Sequence, residues 1–74
     1  MRVTVKLFAS FRDGRTPVET CDYPPGSTVA DVVAQKGVPV AEIGIMLVNC
    51  RHVQLERELA DGDLLAIFPL LGGG

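Results

Sequence analysis

Leu64-Leu65-Ala66-Ile67-Phe68-Pro69-Leu70-Leu71-Gly72-Gly73-Gly74 decides how this chain is read. Leu64 to Phe68 forms a final strand, with strong β formers at Ile67 and Phe68. Pro69 lacks an N–H, so it ends the ladder or lies at its edge. The three glycines that follow have no side chains and a permissive backbone. They are expected to make a thin, flexible terminus, which cannot stabilise a fold. It can thread a narrow channel and present a terminal carboxylate to another protein's active site. A frayed chain end is the simpler account of the same residues.

Working backward, Leu59 precedes Asp61-Gly62-Asp63, a turn signal that fits chain reversal better than cation binding, because a calcium loop needs further ligands. Asn49-Cys50-Arg51-His52 makes another turn, and Val53 begins a brief strand. Ile45-Met46-Leu47-Val48 is a continuous apolar run. It fits a central strand covered on both sides, although periodicity alone also allows a helix. Pro39 and Gly37 close a helix that Ser27 or Thr28 caps, with Asp31 in its first turn. Val29, Val32 and Val33 form its buried face. At about two to three turns it is unstable alone and must lie on a sheet.

At the other end, Val3, Val5 and Leu7 alternate with Arg2, Thr4, Lys6 and Phe8, as in a half-buried strand. Phe8 falls on the polar face. Asp13-Gly14 is a hairpin signal, and Val18 to Tyr23 returns as a strand. Its inward face is either Cys21 and Tyr23 or Val18 and Thr20. Pro24-Pro25-Gly26 stops it.

The order is strand, strand, helix, strand, short strand, strand. The simplest packing is an α+β roll, a mixed sheet of four to five strands across one main helix. The first and last strands are expected as parallel neighbours at its centre.

The chain has 74 residues and 47% hydrophobic content, enough for one small domain with a core. A net charge of -2 and a pI near 5.1 leave no basic footprint for nucleic acid or an anionic membrane. Cys21 and Cys50 have no metal-ligand spacing, and His52 is the single histidine. No metal site is expected. His52 reads as an exposed turn residue, and the cysteines as small packing residues, with Cys50 the more reactive candidate because it sits in a turn. Lys6 interrupts any signal-peptide apolar region. A reduced, cytoplasmic protein is expected.

Four segments carry a resemblance to a known family. They are Lys6 to Arg12, Pro25 to Val33, Val48-Asn49 with Leu59-x-Asp61-Gly62-Asp63, and Ile67 to Gly74. In this order they resemble the β-grasp (ubiquitin-like) sulfur carriers: the small subunit of molybdopterin synthase and the thiamine-biosynthesis sulfur carrier. The resemblance spans the whole chain. It implies a β-grasp domain over 1–68 and a flexible tail over 69–74. Family members often carry glycine after the asparagine. Cys50 stands there, and a positive φ would strain it by roughly 1 kcal/mol or more.

The resemblance implies a carrier rather than an enzyme. A ubiquitin-activating-like adenylyltransferase would use ATP to adenylate the Gly74 carboxylate, with no cofactor bound by the carrier itself. A sulfur donor would then convert it to a thiocarboxylate for molybdopterin or thiazole formation. Molybdopterin synthase large subunit or thiazole synthase would be the further partner. Gly73 and Gly72 would keep the path free of side chains. Phe8, Phe68, Leu70 and Leu71 are candidates for an apolar docking patch, although Phe8 and Phe68 could equally belong to the core. Conjugation of Gly74 to a lysine of another protein shares the same adenylate. A plain β-grasp binding module is the third reading.

Overall fold

The computed structural model describes residues 1–71. Five strands and one α-helix follow the expected order: β1 (Arg2–Leu7), β2 (Val18–Asp22), α1 (Val29–Lys36), β3 (Ile43–Val48), β4 (Arg51–His52) and β5 (Leu64–Pro69). They form a mixed sheet in the order β2-β1-β5-β3-β4. β1 and β5 are parallel neighbours at its centre, with Val5 beside Leu65 and Leu7 beside Ile67. This is the α+β roll that the residue pattern implied.

One sheet face is dry and the other is open. Val3, Val5 and Leu7 of β1, with Leu65 and Ile67 of β5, are buried under α1. The helix contributes Val29, Val32 and Val33, the three residues its periodicity assigned inward. Thr28 caps it through a reciprocal box: its hydroxyl accepts from Asp31 N–H, and the Asp31 carboxylate accepts from Thr28 N–H. Gly37 ends it at φ 69°, in the left-handed region that glycine enters without penalty.

β2 resolves its ambiguous face. Tyr23, just beyond its end, is buried and Cys21 is half-buried, whereas Val18 and Thr20 are exposed. Two further expectations need correction. β3 is not a central strand covered on both sides. It lies one place from the sheet edge, and only Val48 is buried. The brief strand after the turn is Arg51–His52, and Val53 follows it.

Asp13-Gly14 does turn the chain, with Gly14 at φ 69°, but not as a tight hairpin. A 3-10 turn at Ala9–Arg12 intervenes and sinks Phe11 into the core at 2% exposure. Arg15 then locks this excursion to the helix. Its Nε donates to the Lys36 carbonyl at 3.0 Å and its Nη2 to the Gly37 carbonyl at 2.6 Å. A helix C-terminus leaves carbonyls without partners and carries partial negative charge, so a guanidinium there satisfies both needs.

Candidate functional site

The end of β5 gathers Ile45, Leu70 and Leu71, three of the five exposed large hydrophobics among the described residues, beside two half-buried aromatic rings. In the parallel ladder, Phe8 extends β1 beside Phe68 of β5, and its N–H donates to the Ile67 carbonyl. Both rings stand on the open face, away from α1. They stack with centroids 4.1 Å apart and 11° between planes. Such pairs contribute about 0.5–1.5 kcal/mol beyond burial. Each ring is half-buried and neither is in the core cluster.

On the other side of β5, Ile45 of β3 pairs with Phe68 and is 42% exposed. Leu70 and Leu71 follow at 62% and 84%. The result is a strip running from Phe8 through Phe68 to Ile45 and on to the exposed leucines. Ile45 was missed because a run of four apolar residues suggested burial on both faces.

A second missed feature lies beneath the strand end. Gly44 sits at an irregularity in the β3–β5 register, between Ile43, which pairs with Pro69, and Ile45, which pairs with Phe68. Leu70 N–H donates to the Glu42 carbonyl at 2.8 Å. A lone glycine inside a strand pattern is the sequence signal for such a close backbone approach. Gly72, Gly73 and Gly74, the predicted reacting end, lie outside the described residues.

The polar candidates are accounted for locally. Asp61 accepts from Arg2 N–H at 2.7 Å. Asp63, buried, accepts from Asn49 Nδ2 at 2.9 Å and from Ala60 N–H at 2.8 Å. Both carboxylates therefore organise turns. His52 is exposed at the end of β4, and among the described residues no three metal-ligating side chains come together. Cys50 is exposed. Asn49 and Cys50 have φ of 50° and 70°, the positive pair of a two-residue type I′ hairpin turn. The strain expected at Cys50 is therefore present.

Cys21 packs at the core margin beside Lys36, whose Nζ lies 3.3 Å from its Sγ and also pairs with Glu19. Burial would lower the Lys36 ammonium, but its hydrogen bonds to Glu19 and Cys21 outweigh this and raise it. The hydrogen bond from Lys36, reinforced by its charge, holds the Glu19 carboxyl below its ordinary value. This cluster ties β2 to α1 on the side of the molecule away from β3.

Comparison with known proteins places the chain. A model of the Mut7-C ubiquitin family matches residues 3–72. SAMP1 from Haloferax volcanii is 25% identical over 100% of both chains, with a TM-score of 0.78. A molybdopterin converting factor subunit 1 from Pyrococcus furiosus is 30% identical, with 96% of this chain and 99% of that one covered, at a TM-score of 0.77. The complex of subunits 1 and 2 of molybdopterin-converting factor from Helicobacter pylori 26695 contains a match at 17% identity, covering 100% of both chains, at a TM-score of 0.69. That last likeness speaks for the fold alone. No match was found among curated proteins. With one helix packed on a mixed five-stranded sheet and a family match over nearly all its residues, this chain belongs to the Mut7-C ubiquitin family, a group with the ubiquitin-like β-grasp fold.

Proposed function

We propose that this protein is a sulfur carrier whose Gly74 carboxylate is activated by a partner enzyme and converted to a thiocarboxylate. The observation that carries the reading is the end of β5. Central strand β5 ends in an apolar strip, and in the sequence three glycines follow directly from it. The body has contacts to offer a partner, while the reacting end carries no side chains.

The chemistry follows from the leaving group. A carboxylate resists substitution because oxide would have to leave. Attack of the Gly74 carboxylate on the α-phosphate of ATP releases pyrophosphate and forms a mixed anhydride. A persulfide on the donor protein then attacks the carbonyl carbon and AMP leaves. A thiol cleaves the resulting acyl disulfide, releasing the thiocarboxylate and leaving a disulfide on the donor. The thiocarboxylate is ionised and nucleophilic, suited to sulfur delivery.

Molybdopterin formation is the leading destination, supported by the 30% identity to the Pyrococcus furiosus protein. Thiazole formation for thiamine is the close second. The partners proposed are a ubiquitin-activating-like adenylyltransferase, a sulfur donor, and molybdopterin synthase large subunit or thiazole synthase. A reduced, cytoplasmic setting belongs to the same proposal.

A second reading has its own support. A Haloferax volcanii relative at 24% identity is described as small archaeal modifier protein 1. A lysine amine attacking the same adenylate would give an amide and release AMP.

Intact mass spectrometry separates these readings. The chain is incubated with ATP, a sulfur source and host extract in which the activating enzyme is active. An ATP-dependent oxygen-for-sulfur mass increase on the C-terminal peptide is the expected result. Covalent ladders that vanish on removal of Gly74, without that increase, would favour the modifier. Neither product would leave a plain binding module.

A further inference from the structure

We propose that Gly44 is a positioning residue that sets where the C-terminal segment leaves the body. The proposal rests on the carrier reading above and adds the element that aims the tail.

The case starts from why residue 44 is glycine. Gly14, Gly26, Gly37 and Gly62 all have positive φ, and a Cβ on any of them would meet nothing within 4 Å, so conformation is their reason. Gly44 is the reverse. Its φ lies outside the positive range. A Cβ there would fall 2.8 Å from the Pro69 carbonyl oxygen and 3.1 Å from both Cα and N of Leu70. All three are backbone atoms, which cannot rotate aside as a flexible side chain does. The register slip around Gly44 is the mark of a bulge, which bends the strand locally and brings its backbone up against the end of β5.

The same crossing is secured from a second side. Leu70 N–H donates to the Glu42 carbonyl at 2.8 Å, and Pro69 faces Ile43. Leu70 and Leu71 leave their side chains largely exposed. The segment is therefore held through its backbone, with its apolar groups free to meet a partner. This arrangement fixes a direction of exit without consuming the surface that docks.

An alanine at residue 44 would have to push Pro69 and Leu70 away by about 0.6 Å to restore ordinary contact. The shift comes at the base of the segment that carries Gly74. Misplacement of a reacting group by about 1 Å can cost on the order of a hundredfold in rate.

The test compares wild type with Gly44→Ala, both ending at Gly74. Amide hydrogen exchange is read at Leu70 and Ile67, and ATP-dependent activation is measured with the host's activating enzyme. Leu70 exchange is expected to rise about tenfold or more while Ile67 stays protected. Activation is expected to lose about tenfold in kcat with KM within about twofold, because the docking side chains are unchanged. Unchanged Leu70 protection, or loss of protection with normal kcat, overturns the proposal and leaves the carrier reading intact. A wild-type chain that is never activated by a demonstrably active enzyme refutes the carrier reading, and the positioning role falls with it. If Gly44→Ala does not fold, a backbone ester between Pro69 and Leu70 replaces the N–H donated to Glu42 with oxygen and adds no side-chain atom. The same loss in kcat is then expected, and normal kcat would overturn the proposal.

Discussion

Cys50 sits at φ 70°, after Asn49 at φ 50°, in the two-residue turn between β3 and β4. An L residue in this region brings its Cβ close to the following carbonyl oxygen, at a cost of about 1–2 kcal/mol. Glycine avoids that contact but widens the unfolded ensemble, which costs about 0.4–1 kcal/mol in return. The Cys50 side chain is exposed, so its removal forfeits little burial. The difference leaves Cys50→Gly more stable by about 0.5–1 kcal/mol, or about 2–8 °C in Tm for a domain of this size. Cys50→Ala removes the thiol and keeps the Cβ, so it separates strain from sulfur chemistry and should match wild type. Thermal and urea unfolding under reducing conditions reads all three chains. A Cys50→Gly protein no more stable than Cys50→Ala would refute the strain argument. The gain does not extend to Asn49, despite its positive φ. Its Oδ1 accepts from Leu64 N–H at 3.0 Å and its Nδ2 donates to buried Asp63.

Leu71→Asp should weaken partner binding and leave Tm unchanged, since Leu71 is 84% exposed; a large loss of folding stability would place it in the core instead. Gly73→Ala should retain the fold and slow adenylation by obstructing a narrow partner channel. Unaltered adenylation kinetics would remove the steric argument. Burial pushes the Tyr23 hydroxyl up to about 12, where it donates to Gln35 Oε1 at 2.9 Å. The folded state thus holds this proton to higher pH than the unfolded chain, which releases it near 10. The stabilisation is complete below about pH 10 and is lost as pH rises toward about 12. Urea midpoints from pH 9 to 12 should therefore fall less steeply in Tyr23→Phe than in wild type, and equal slopes would count against the role of Tyr23.

The helix was legible because each signal was local. Thr28 and Asp31 lie within one turn, the three valines share a face, and Gly37 needs only its own φ. The parallel pairing of β1 and β5 was legible from element order, because an alternating first strand and an apolar last strand both need burial against one helix. What stayed hidden depended on distant partners. Phe11 lies in a turn whose composition points to solvent, yet the excursion after β1 carries it into the core. Arg15 is an ordinary charged residue until the end of α1 arrives beside it. Ile45 sits in an apolar run like a buried strand, and only the shortness of β4 and the open sheet face expose it. In the apolar strip outside the core, the exposure of Phe8, Leu70 and Leu71 was legible from alternation and from the position of the leucines beyond Pro69. The supporting Gly44 contact was not, because it joins residues 25 or more positions apart.

Under the carrier reading, that contact changes what a partner would have to supply. Ordering the six residues 69–74 from a fully mobile state would cost about 6–12 kcal/mol, at about 1–2 kcal/mol per residue. Burial of the two exposed leucines returns only about 3–6 kcal/mol, at about 1.5–3 kcal/mol each. On those terms the tail opposes its own docking. Pro69 is instead already in the β5 ladder, and Leu70 is already bonded to Glu42. If only the four residues from Leu71 onward had to be ordered on docking, the cost would fall to about 4–8 kcal/mol. The leucines would then come close to offsetting it, and the strip of Phe8, Phe68 and Ile45 would be left to drive the proposed association. The same clamp limits reach. The four residues from Leu71 to Gly74 span at most about 13–14 Å, against about 20 Å for six. Under the proposed carrier reading, a partner's reacting centre would have to lie close to the surface that receives the strip, so loosening the clamp would trade accuracy of placement for reach.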